Sequence, residues 1–450
     1  MRLWQDPQFV FGVATSAFQI EGAVDIDGKV ESIWDTFCRR DGAIADAGDG
    51  RVACEHYRRW EQDFDLIASL GVDAYRFSIA WPRIISDVDG RVNQQGLMFY
   101  RQLLEGLAER GVKAYVTLYH WDLPQFLQDQ GGWLNRDTAL AFRHYAQVAA
   151  SELGDLVQSW CTLNEPWCSA VLGHWFGVHA PGIQDRAAAL QAAHHLLLAH
   201  GMALDALRKN APQAQHGIVL NLSPYYSAAE TPGDQAAAEF AALENNHWYL
   251  QALLQGRYPQ KVWDYYDRFR PAICPGDMEI ISQPLDYLGI NYYSCQRVLA
   301  CEPTDVDWPP YKVQEPASNV PVTAMGWEIC PSGLTDLLQQ LHREYRLPPL
   351  LITENGMASD DQLFDGAVVD DQRLTYLQQH LSALERAMES GVNVRGYFAW
   401  SLMDNFEWAE GYRKRFGLVY VDYDSQERTL KRSGQWLQQR LLERKQRGVV

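Results

Sequence analysis

The chain has 450 residues, of which 47% are hydrophobic and 12% are aromatic, and 16 of them are tryptophans. Such a composition fills a large core and excludes a disordered chain. The formal net charge of −18 at pH 7 argues against nucleic acid or an anionic membrane surface as a partner. The same charge is compatible with a small neutral ligand.

The eight cysteines include no C-x-x-C pair and no zinc-like spacing, so the sequence predicts no metal site. The opening residues MRLWQDPQFVFG lack the apolar run of a signal peptide, and no apolar stretch could span a bilayer. We therefore expect a soluble, cytoplasmic protein with reduced cysteines and no membrane partner.

Eight short β-rich runs alternate with segments of helical periodicity. The first run, FVFGVATS at 9–16, precedes a helical segment at 54–71. The other strand-like runs, in chain order, are 72–81, 112–121, 157–166, 216–224, 285–293, 348–356 and 394–406. The helical segments that follow them are 94–111, 136–154, 186–210, 233–256, 332–345, 370–391 and 432–446.

Nearly continuous apolar strands that alternate with helices indicate parallel strands buried on both faces. The expected fold is α/β: a single (β/α)8 TIM barrel over residues 1–450, with long βα loops that form the active-site cleft. A doubly wound open sheet is the structural alternative, and it usually carries a Gly-rich phosphate turn after its first strand. The segment FGVATSAFQIEG at 11–22 is not G-x-G-x-x-G, which favours the barrel.

The predicted strands end on polar or aromatic side chains, which a barrel collects at one rim. These residues are Gln19, Arg76, His120, Trp121, Asn164, Glu165, Asn221, Asn291, Tyr292, Tyr293, Glu354 and Trp400. Only the fourth and seventh strands end on a glutamate. We therefore expect Glu165 and Glu354 to face each other across the barrel mouth.

Two carboxyl groups in one cleft repel each other as anions, so the pKa of one can rise while the other group stays ionised. This arrangement suits glycoside hydrolysis, in which one carboxyl protonates the leaving oxygen and the other meets the anomeric carbon. Arg76 and Tyr293 are candidates to support an ionised Glu354, because a positive charge and a phenol hydrogen bond both favour the anion. A single strand-end glutamate would more often be an ion-pair partner or a helix cap.

The segments TLNEP (162–166) and ITENG (352–356) resemble the two signature motifs of glycoside hydrolase family 1, the β-glucosidase family. The resemblance runs from residue 11 to residue 417 through FGVATSAFQIEG, YRFSIAWPRI, TLYHWDLP, GINYY, MGWEI and WSLMDNFEWAEGYRKRFG. It implies a retaining β-glucosidase that hydrolyses cellobiose, short cello-oligosaccharides and aryl β-glucosides by double displacement. It implies neither a cofactor nor a metal.

Position by position, the resemblance implies that Glu165 is the general acid/base and Glu354 the nucleophile. It implies that Asn164 binds the sugar 2-hydroxyl, and that Asn291 and Tyr293 form hydrogen bonds near the two glutamates. The matched sugar-binding residues are Gln19, His120, Trp121, Trp400, Glu407, Trp408 and Phe416. The matched residues on the leaving-group side are Trp327, with Trp167, His179 and Asn221 as companions.

Other activities stay open at this point. Activity of similar strength on β-galactosides or β-fucosides is an alternative, because Glu407 and Gln19 can bridge either arrangement of the 4-hydroxyl. A 6-phospho-β-glucosidase is disfavoured, since Glu407 would repel a phosphate. A sugar-binding protein without activity would be expected to lack one of the two glutamates. A metal-dependent hydrolase would need a cluster of metal ligands, and only the segment 120–122 is a candidate for one.

The leaving-group side carries the departures from the family pattern. Cys330 and Ser332 stand where a larger polar or acidic residue is expected, close to Trp327 in the sequence. The Pro-rich loop at 299–326 lies on the same side, and loops of this kind set specificity. The leaving group and the oligomeric state, with a homo-oligomer as one alternative, stay undetermined by the sequence.

Overall fold

A closed barrel of eight parallel strands forms the centre of the computed structural model, which describes residues 2–302 and 308–448. The predicted (β/α)8 fold is confirmed. The barrel strands, numbered β1 to β8 in chain order, are Val10–Ala14, Ala74–Ser78, Lys113–Tyr119, Val157–Asn164, Gln215–Asn221, Tyr287–Asn291, Leu350–Asn355 and Val394–Trp400. Each strand pairs in parallel with its chain neighbours, and β1 closes the barrel on β8.

Eight helical segments, α1 to α8, follow the strands. They are His56–Leu70, Gln94–Glu109, Asp137–Leu153, Arg186–Asn210, Pro232–Ala242 continued by Trp248–Gln255, Pro331–Glu344, Asp371–Glu389 and Arg432–Gln446. Shorter helical turns are Arg2–Trp4, Ala17–Ile20, Ile33–Phe37, Trp81–Ile84, Gln125–Gln128, Gly132–Leu134, Gly154–Leu156, Gln260–Tyr265, Asp267–Phe269, Asp277–Ile281 and Trp408–Glu410. Two wide π-type turns are Cys168–Leu172 and Leu243–His247. Within the described chain, no helix combines the length and the apolarity needed to cross a membrane.

The strands are shorter than their apolar runs suggested. The run at 394–406 leaves the sheet after Trp400, yet Leu402 and Met403 are fully buried, because the chain continues through the core as a loop. The first strand ends at Ala14, so Gln19 lies on the following helical turn, Ala17–Ile20, rather than at the strand end. An apolar run in the sequence indicates that a segment is buried, and a segment can stay buried after its strand pairing has ended.

The barrel interior is packed and closed below its mouth. Tyr115 on β3 and Phe398 on β8 belong to strands that are not neighbours, yet their rings lie 5.0 Å apart. Gly12 on β1 leaves room for that packing, because a Cβ there would lie 2.3 Å from the Phe398 ring. Space for a ligand is therefore expected at the rim, among the long loops that follow the strands.

Two small sheets stabilise the rim loops. The loop after β6 carries the strand Gln296–Ala300, which pairs with Tyr225–Ser227 and with Tyr311–Val313. The loop after β8 carries the antiparallel pair Val419–Val421 and Arg428–Leu430. Residues 303–307 of the loop predicted at 299–326 lie outside the described residues.

A buried ion network holds the loop after β8. The Lys431 ammonium lies 2.5 Å from a carboxylate oxygen of Asp361 and 2.5 Å from one of Asp404. Arg415 contacts the other oxygen of Asp404 at 2.7 Å, and Asp404 accepts the Gly417 backbone N–H at 2.9 Å. These contacts position the two halves of the loop, at 404 and at 415–417, relative to each other.

Replacing Lys431 with Met is expected to lower the free energy of unfolding by about 3 kcal/mol, because it removes a buried cation that Asp361 and Asp404 share and leaves each carboxylate with one arginine. The Arg39–Glu31 pair is the control. Its side chains are 57% and 56% exposed, so Arg39→Met is expected to change the free energy by less than about 1 kcal/mol. Urea unfolding of both variants measures the difference, and equal stabilities would show that the Lys431 network contributes nothing.

Candidate active site

A cavity of about 520 Å³ opens at the carboxyl ends of the barrel strands. Eleven of the fourteen predicted site residues line it: His120, Trp121, Glu165, Asn291, Tyr293, Trp327, Glu354, Trp400, Glu407, Trp408 and Phe416. The other three, Gln19, Arg76 and Asn164, are buried directly behind this wall. The structure therefore brings together at one rim residues from Gln19 to Phe416, which are 397 positions apart in the chain.

Glu354 reaches the cavity because strand β7 ends irregularly. The β7–β6 register pairs Ile352 with Ile290 and then Glu354 with Asn291, so one residue of β7 is skipped. Such irregularities redirect side chains next to active sites. Gly356 is required two residues later, because a Cβ there would lie 1.7 Å from the Trp400 carbonyl oxygen.

The carboxylate of Glu354 has a cationic and a phenolic partner. Arg76 donates to its Oε1 at 2.6 Å, and the Tyr293 hydroxyl donates to its Oε2 at 2.5 Å. Burial raises the pKa of Glu354, whereas Arg76 and Tyr293 oppose that rise by stabilising the anion. The contacts expected from the sequence are present.

Glu165 follows a second irregularity, at the end of strand β4. The residue adopts a left-handed backbone conformation with φ of 48°, which is uncommon for a residue other than glycine. Asn291 donates to its Oε1 at 2.5 Å, and the Cys168 thiol lies 3.1 Å from its Oε2. Burial, together with the charge of Glu354, raises the pKa of Glu165 to about 7.

Asn164 connects the surroundings of the two glutamates. Its Oδ1 accepts hydrogen bonds from Arg76 at 2.7 Å and from Asn291 at 3.1 Å. Arg76 in turn contacts Glu354, and Asn291 contacts Glu165. The cationic partner belongs to Glu354 and the neutral partners belong to Glu165, so the anion is favoured at Glu354 and the proton at Glu165.

His120 stands beside this network as a neutral imidazole. Its Nε2 lies 3.1 Å from the Asn164 amide nitrogen, and a nitrogen that accepts this bond leaves the proton on Nδ1. Burial, with a contribution from Arg76, lowers the pKa of His120 well below its usual value. In the described part of the chain Nδ1 has no partner, which leaves a donor for a ligand.

One end of the cavity combines aromatic faces with an unpaired carboxyl oxygen. The rings of Trp121 and Trp408 lie 4.5 Å apart, and His120 stacks near Trp400 at 5.9 Å. The Glu407 Oε2 is buried and has no hydrogen-bond partner among the described residues. Burial and the charges of Glu354 and Glu165 raise the pKa of Glu407 to about 8. Such an oxygen is suited to a hydroxyl-bearing ligand.

Gln19 supports this end from behind rather than lining it. Its Nε2 donates to the Asn405 Oδ1 at 3.0 Å and to the Phe406 carbonyl at 2.8 Å, and its Oε1 accepts from Ser16. The side chain is fully buried. Gln19 therefore holds the loop segment that leads directly to Glu407.

The aromatic residues Tyr293 and Trp327 also line the cavity, with ring centroids 5.6 Å apart, and the Trp327 ring lies 6.2 Å from that of Phe416. The predicted companions Trp167, His179 and Asn221 line the cavity as well. Sequence reasoning missed Asn245, whose Oδ1 accepts the Trp167 indole N–H at 2.9 Å. Asn245 lies in the π-type turn that interrupts α5, a feature that the helical periodicity of 233–256 conceals.

Cys168, which contacts Glu165, was also missed. It follows Glu165 by three positions in a helical turn, and its backbone N–H donates to the Glu165 carbonyl at 2.9 Å. The spacing i, i+3 after a strand-end glutamate could have indicated this contact. Asp122 of the 120–122 segment does not line the cavity, whereas His120 and Trp121 do.

A buried carboxyl that keeps its proton near neutral pH, next to a carboxylate held by a guanidinium, can act as an acid and an anion in the same step. The aromatic walls exclude water and offer flat apolar faces. Together with the closed barrel, these features define a (β/α)8 glycoside hydrolase type of site.

Comparisons with known proteins agree with this class. The model of glycosyl hydrolase family 1 matches residues 3–446, so the chain belongs to that family. It is 46% identical to a β-glucosidase of an Agrobacterium species over 95% of this chain and 93% of that one. It is 45% identical to a bifunctional β-D-glucosidase/β-D-fucosidase of Bifidobacterium breve, over 95% and 96%. The crystal structure of a family 1 β-glucosidase from Exiguobacterium antarcticum superposes with a TM-score of 0.94 at 44% identity, covering 98% of both chains.

Proposed function

We propose that the protein is a retaining β-glucosidase that acts on cellobiose, short cello-oligosaccharides and aryl β-glucosides. One observation carries the proposal: two buried carboxyl groups at the cavity floor have unlike partners, a guanidinium at Glu354 and an amide with a thiol at Glu165. The β-glucosidases among the relatives support glucose as the sugar.

In the first step the Glu354 carboxylate forms a bond to the anomeric carbon. The bond from that carbon to the leaving oxygen breaks, and Glu165 gives that oxygen its proton. The negative charge of Glu354 is then lost in the ester. Because that charge contributes to the raised pKa of Glu165, the pKa falls and Glu165 becomes a base.

In the second step Glu165 accepts a proton from water while the water oxygen attacks the anomeric carbon. The ester bond to Glu354 breaks and the carboxylate is restored. Two displacements on opposite faces retain the configuration, so the first product is the β-anomer of the sugar. Neither step requires a cofactor.

Recognition of the sugar is assigned to the end of the cavity with Glu407. The free Glu407 Oε2 would bind hydroxyl groups, the Trp400 ring would support the pyranose face, and the His120 Nδ1–H would donate to a further hydroxyl. Trp327 and Tyr293 would flank the leaving group. In this proposal, the residues around Glu407 select the sugar, and the residues around Trp327 place fewer restrictions on the leaving group.

A panel of nitrophenyl β-glucoside, β-galactoside, β-fucoside and 6-phospho-β-glucoside, assayed beside cellobiose with EDTA present, tests the proposal. We expect turnover of the unphosphorylated glycosides that EDTA does not change, and proton NMR that shows the β-anomer first. Activity on the phosphorylated substrate alone, or on none of them, would contradict the proposed function.

A second sugar preference has an observation in its favour. The Bifidobacterium relative is named for both glucosidase and fucosidase activity, so β-fucosides are a candidate substrate of this chain. A 6-phosphate is disfavoured because the described residues that line the cavity include no lysine and no arginine. The panel above ranks these sugars directly.

The pH dependence of kcat/KM is expected to be bell-shaped. Because the pKa of Glu165 is raised to about 7, the group keeps its proton below that pH and loses it above, so kcat/KM falls as the pH rises through about 7. On the acidic side kcat/KM falls as Glu354 gains a proton. A pH profile with nitrophenyl β-glucoside measures both limbs, and an unchanged alkaline limb in Glu165→Gln would contradict the assignment.

We further propose that the chain is a single catalytic domain that works in the cytoplasm. The contacts of helix α8 support the single domain. Arg444 donates to the Phe9 carbonyl at 2.8 Å and contacts Asp73 at 2.8 Å, so this helix is joined to the residues that precede β1 and β2. Buried free thiols, such as Cys54 and Cys161, support a reducing compartment.

A further inference from the structure

Two thiols and a carboxylate meet behind the leaving-group wall, outside the catalytic machinery. One ligand atom each of Cys295, Glu328 and Cys330 lies within 4.8 Å of the other two. The two cysteines are only 5% and 6% exposed, and the Glu328 side chain is 12% exposed. The cysteines are 35 positions apart, so their spacing in the sequence did not indicate this cluster.

We propose that this cluster binds a thiophilic divalent cation of the Zn²⁺ type, with Cys295 Sγ, Cys330 Sγ and a Glu328 carboxylate oxygen as ligands. Zinc takes sulfur ligands at about 2.3 Å in tetrahedral geometry, which places two sulfurs about 3.8 Å apart. The separations of at most 4.8 Å therefore need to contract by no more than about 1 Å. Binding releases the two thiol protons to solvent, and water completes the fourth position.

The backbone on both sides of the cluster is already held in place. The Ser294 hydroxyl donates to the Glu328 carbonyl at 2.8 Å, and the Tyr292 hydroxyl donates to the Cys330 carbonyl at 2.6 Å. These bonds join the segment after β6 to the segment before α6. The two cysteines therefore approach each other from supported segments, so little chain entropy is lost when a cation binds.

Arg297 donates to both carboxylate oxygens of Glu328. Its guanidinium lies 3.2 Å from Glu328, and its side chain is 44% exposed. The Glu328 side chain is only 12% exposed, so a cation that binds its carboxylate has to replace one of these two arginine contacts. A carboxylate also has enough lone pairs to keep one arginine contact while it binds a metal.

The metal-ligand cluster lies close in sequence to two residues that line the cavity. Cys295 follows Tyr293 by two residues, and Cys330 follows Trp327 by three, and both aromatic residues line the cavity. A cation there would crosslink the two segments that carry these rings. The metal would bind outside the cavity, without contact with Glu165 or Glu354.

Isothermal titration of the full-length protein with Zn²⁺, and separately with Cd²⁺, tests the site under a reductant that does not bind metal. We expect one cation per chain, confirmed by native mass spectrometry. Cys295→Ser, Cys330→Ser and Glu328→Gln are each expected to weaken binding at least about tenfold. Cys274→Ser is the matched control, because it removes an exposed thiol elsewhere and is expected to bind like the unaltered chain.

Binding that persists unchanged in the Cys295 and Cys330 variants, or that Cys274→Ser abolishes equally, would overturn the site. So would a chain that binds no metal, including one in which the two thiols are found as a disulfide by peptide mass mapping. Glu354→Gly is expected to keep the cation stoichiometry. A failure of the proposed hydrolase function would therefore be distinguishable from a failure of the metal site.

Discussion

Replacing Glu354 with Gly is expected to lower kcat for nitrophenyl β-glucoside by about 10⁵-fold. The change removes the only atoms proposed to bond to the anomeric carbon, and it leaves Arg76 and Tyr293 facing a space of carboxylate size. Azide or formate can occupy that space as a small anion. Turnover is expected to return when either is added at high concentration.

The anomeric configuration of the product formed with azide shows from which face of the sugar the nucleophile attacks. Azide in the place of Glu354 attacks opposite the leaving group, so the expected product is the α-glucosyl azide, which NMR distinguishes from the β-anomer. Glu354→Gln is the matched control, because the amide fills the same space and leaves no room for azide. Activity in Glu354→Gly without any added anion would show that another group is the nucleophile.

Replacing Glu165 with Ala is expected to separate substrates by the quality of their leaving group. A dinitrophenolate leaves without a proton, so kcat/KM for dinitrophenyl β-glucoside should stay within about tenfold of the unaltered enzyme. Cellobiose needs the proton, so its kcat/KM should fall by about 10²–10⁴-fold. The alkaline limb of the pH profile should disappear in the same variant.

Azide provides a second readout for Glu165. In Glu165→Ala the ester with Glu354 still forms, and azide then attacks from the face that the leaving group left, giving the β-glucosyl azide. Opposite anomers from the two variants would establish both assignments together. An equal loss of kcat/KM for good and poor leaving groups would show that Glu165 only positions the substrate.

The fold was largely predictable from the sequence. The helix expected at 186–210 is found as Arg186–Asn210, because its polar cap and apolar periodicity are local properties. The eight strands were found because parallel strands buried on both faces need continuous apolar residues. The ends of the strands were predicted less accurately. Gln19 lies beyond β1, and the sequence did not show this because residues buried in a loop have the same apolar character as residues buried in a strand.

That Glu165 and Glu354 line the same cavity was also predicted by the sequence, since strand ends in a barrel meet at one rim. The sequence also predicted Arg76 as the partner of Glu354, whereas the extent to which the pKa of Glu165 is raised required the tertiary structure. Arg76 lies within β2, and its contact with Glu354 spans 278 positions. The position of Gln19 behind the cavity wall depends on the helical turn after β1, whose geometry has no simple sequence pattern.

The sequence by itself determined the barrel, the family resemblance and the position of Glu165 and Glu354 at one rim, because strand periodicity and short motifs are local in the chain. Only the tertiary structure decided that Gln19 lies behind the cavity wall, that Glu407 keeps a free oxygen, and that Cys295 meets Cys330. The physical reason is that pKa values and ligand clusters depend on distances of a few ångströms between side chains that are far apart in the chain. Those distances are set by packing of the loops on the closed barrel.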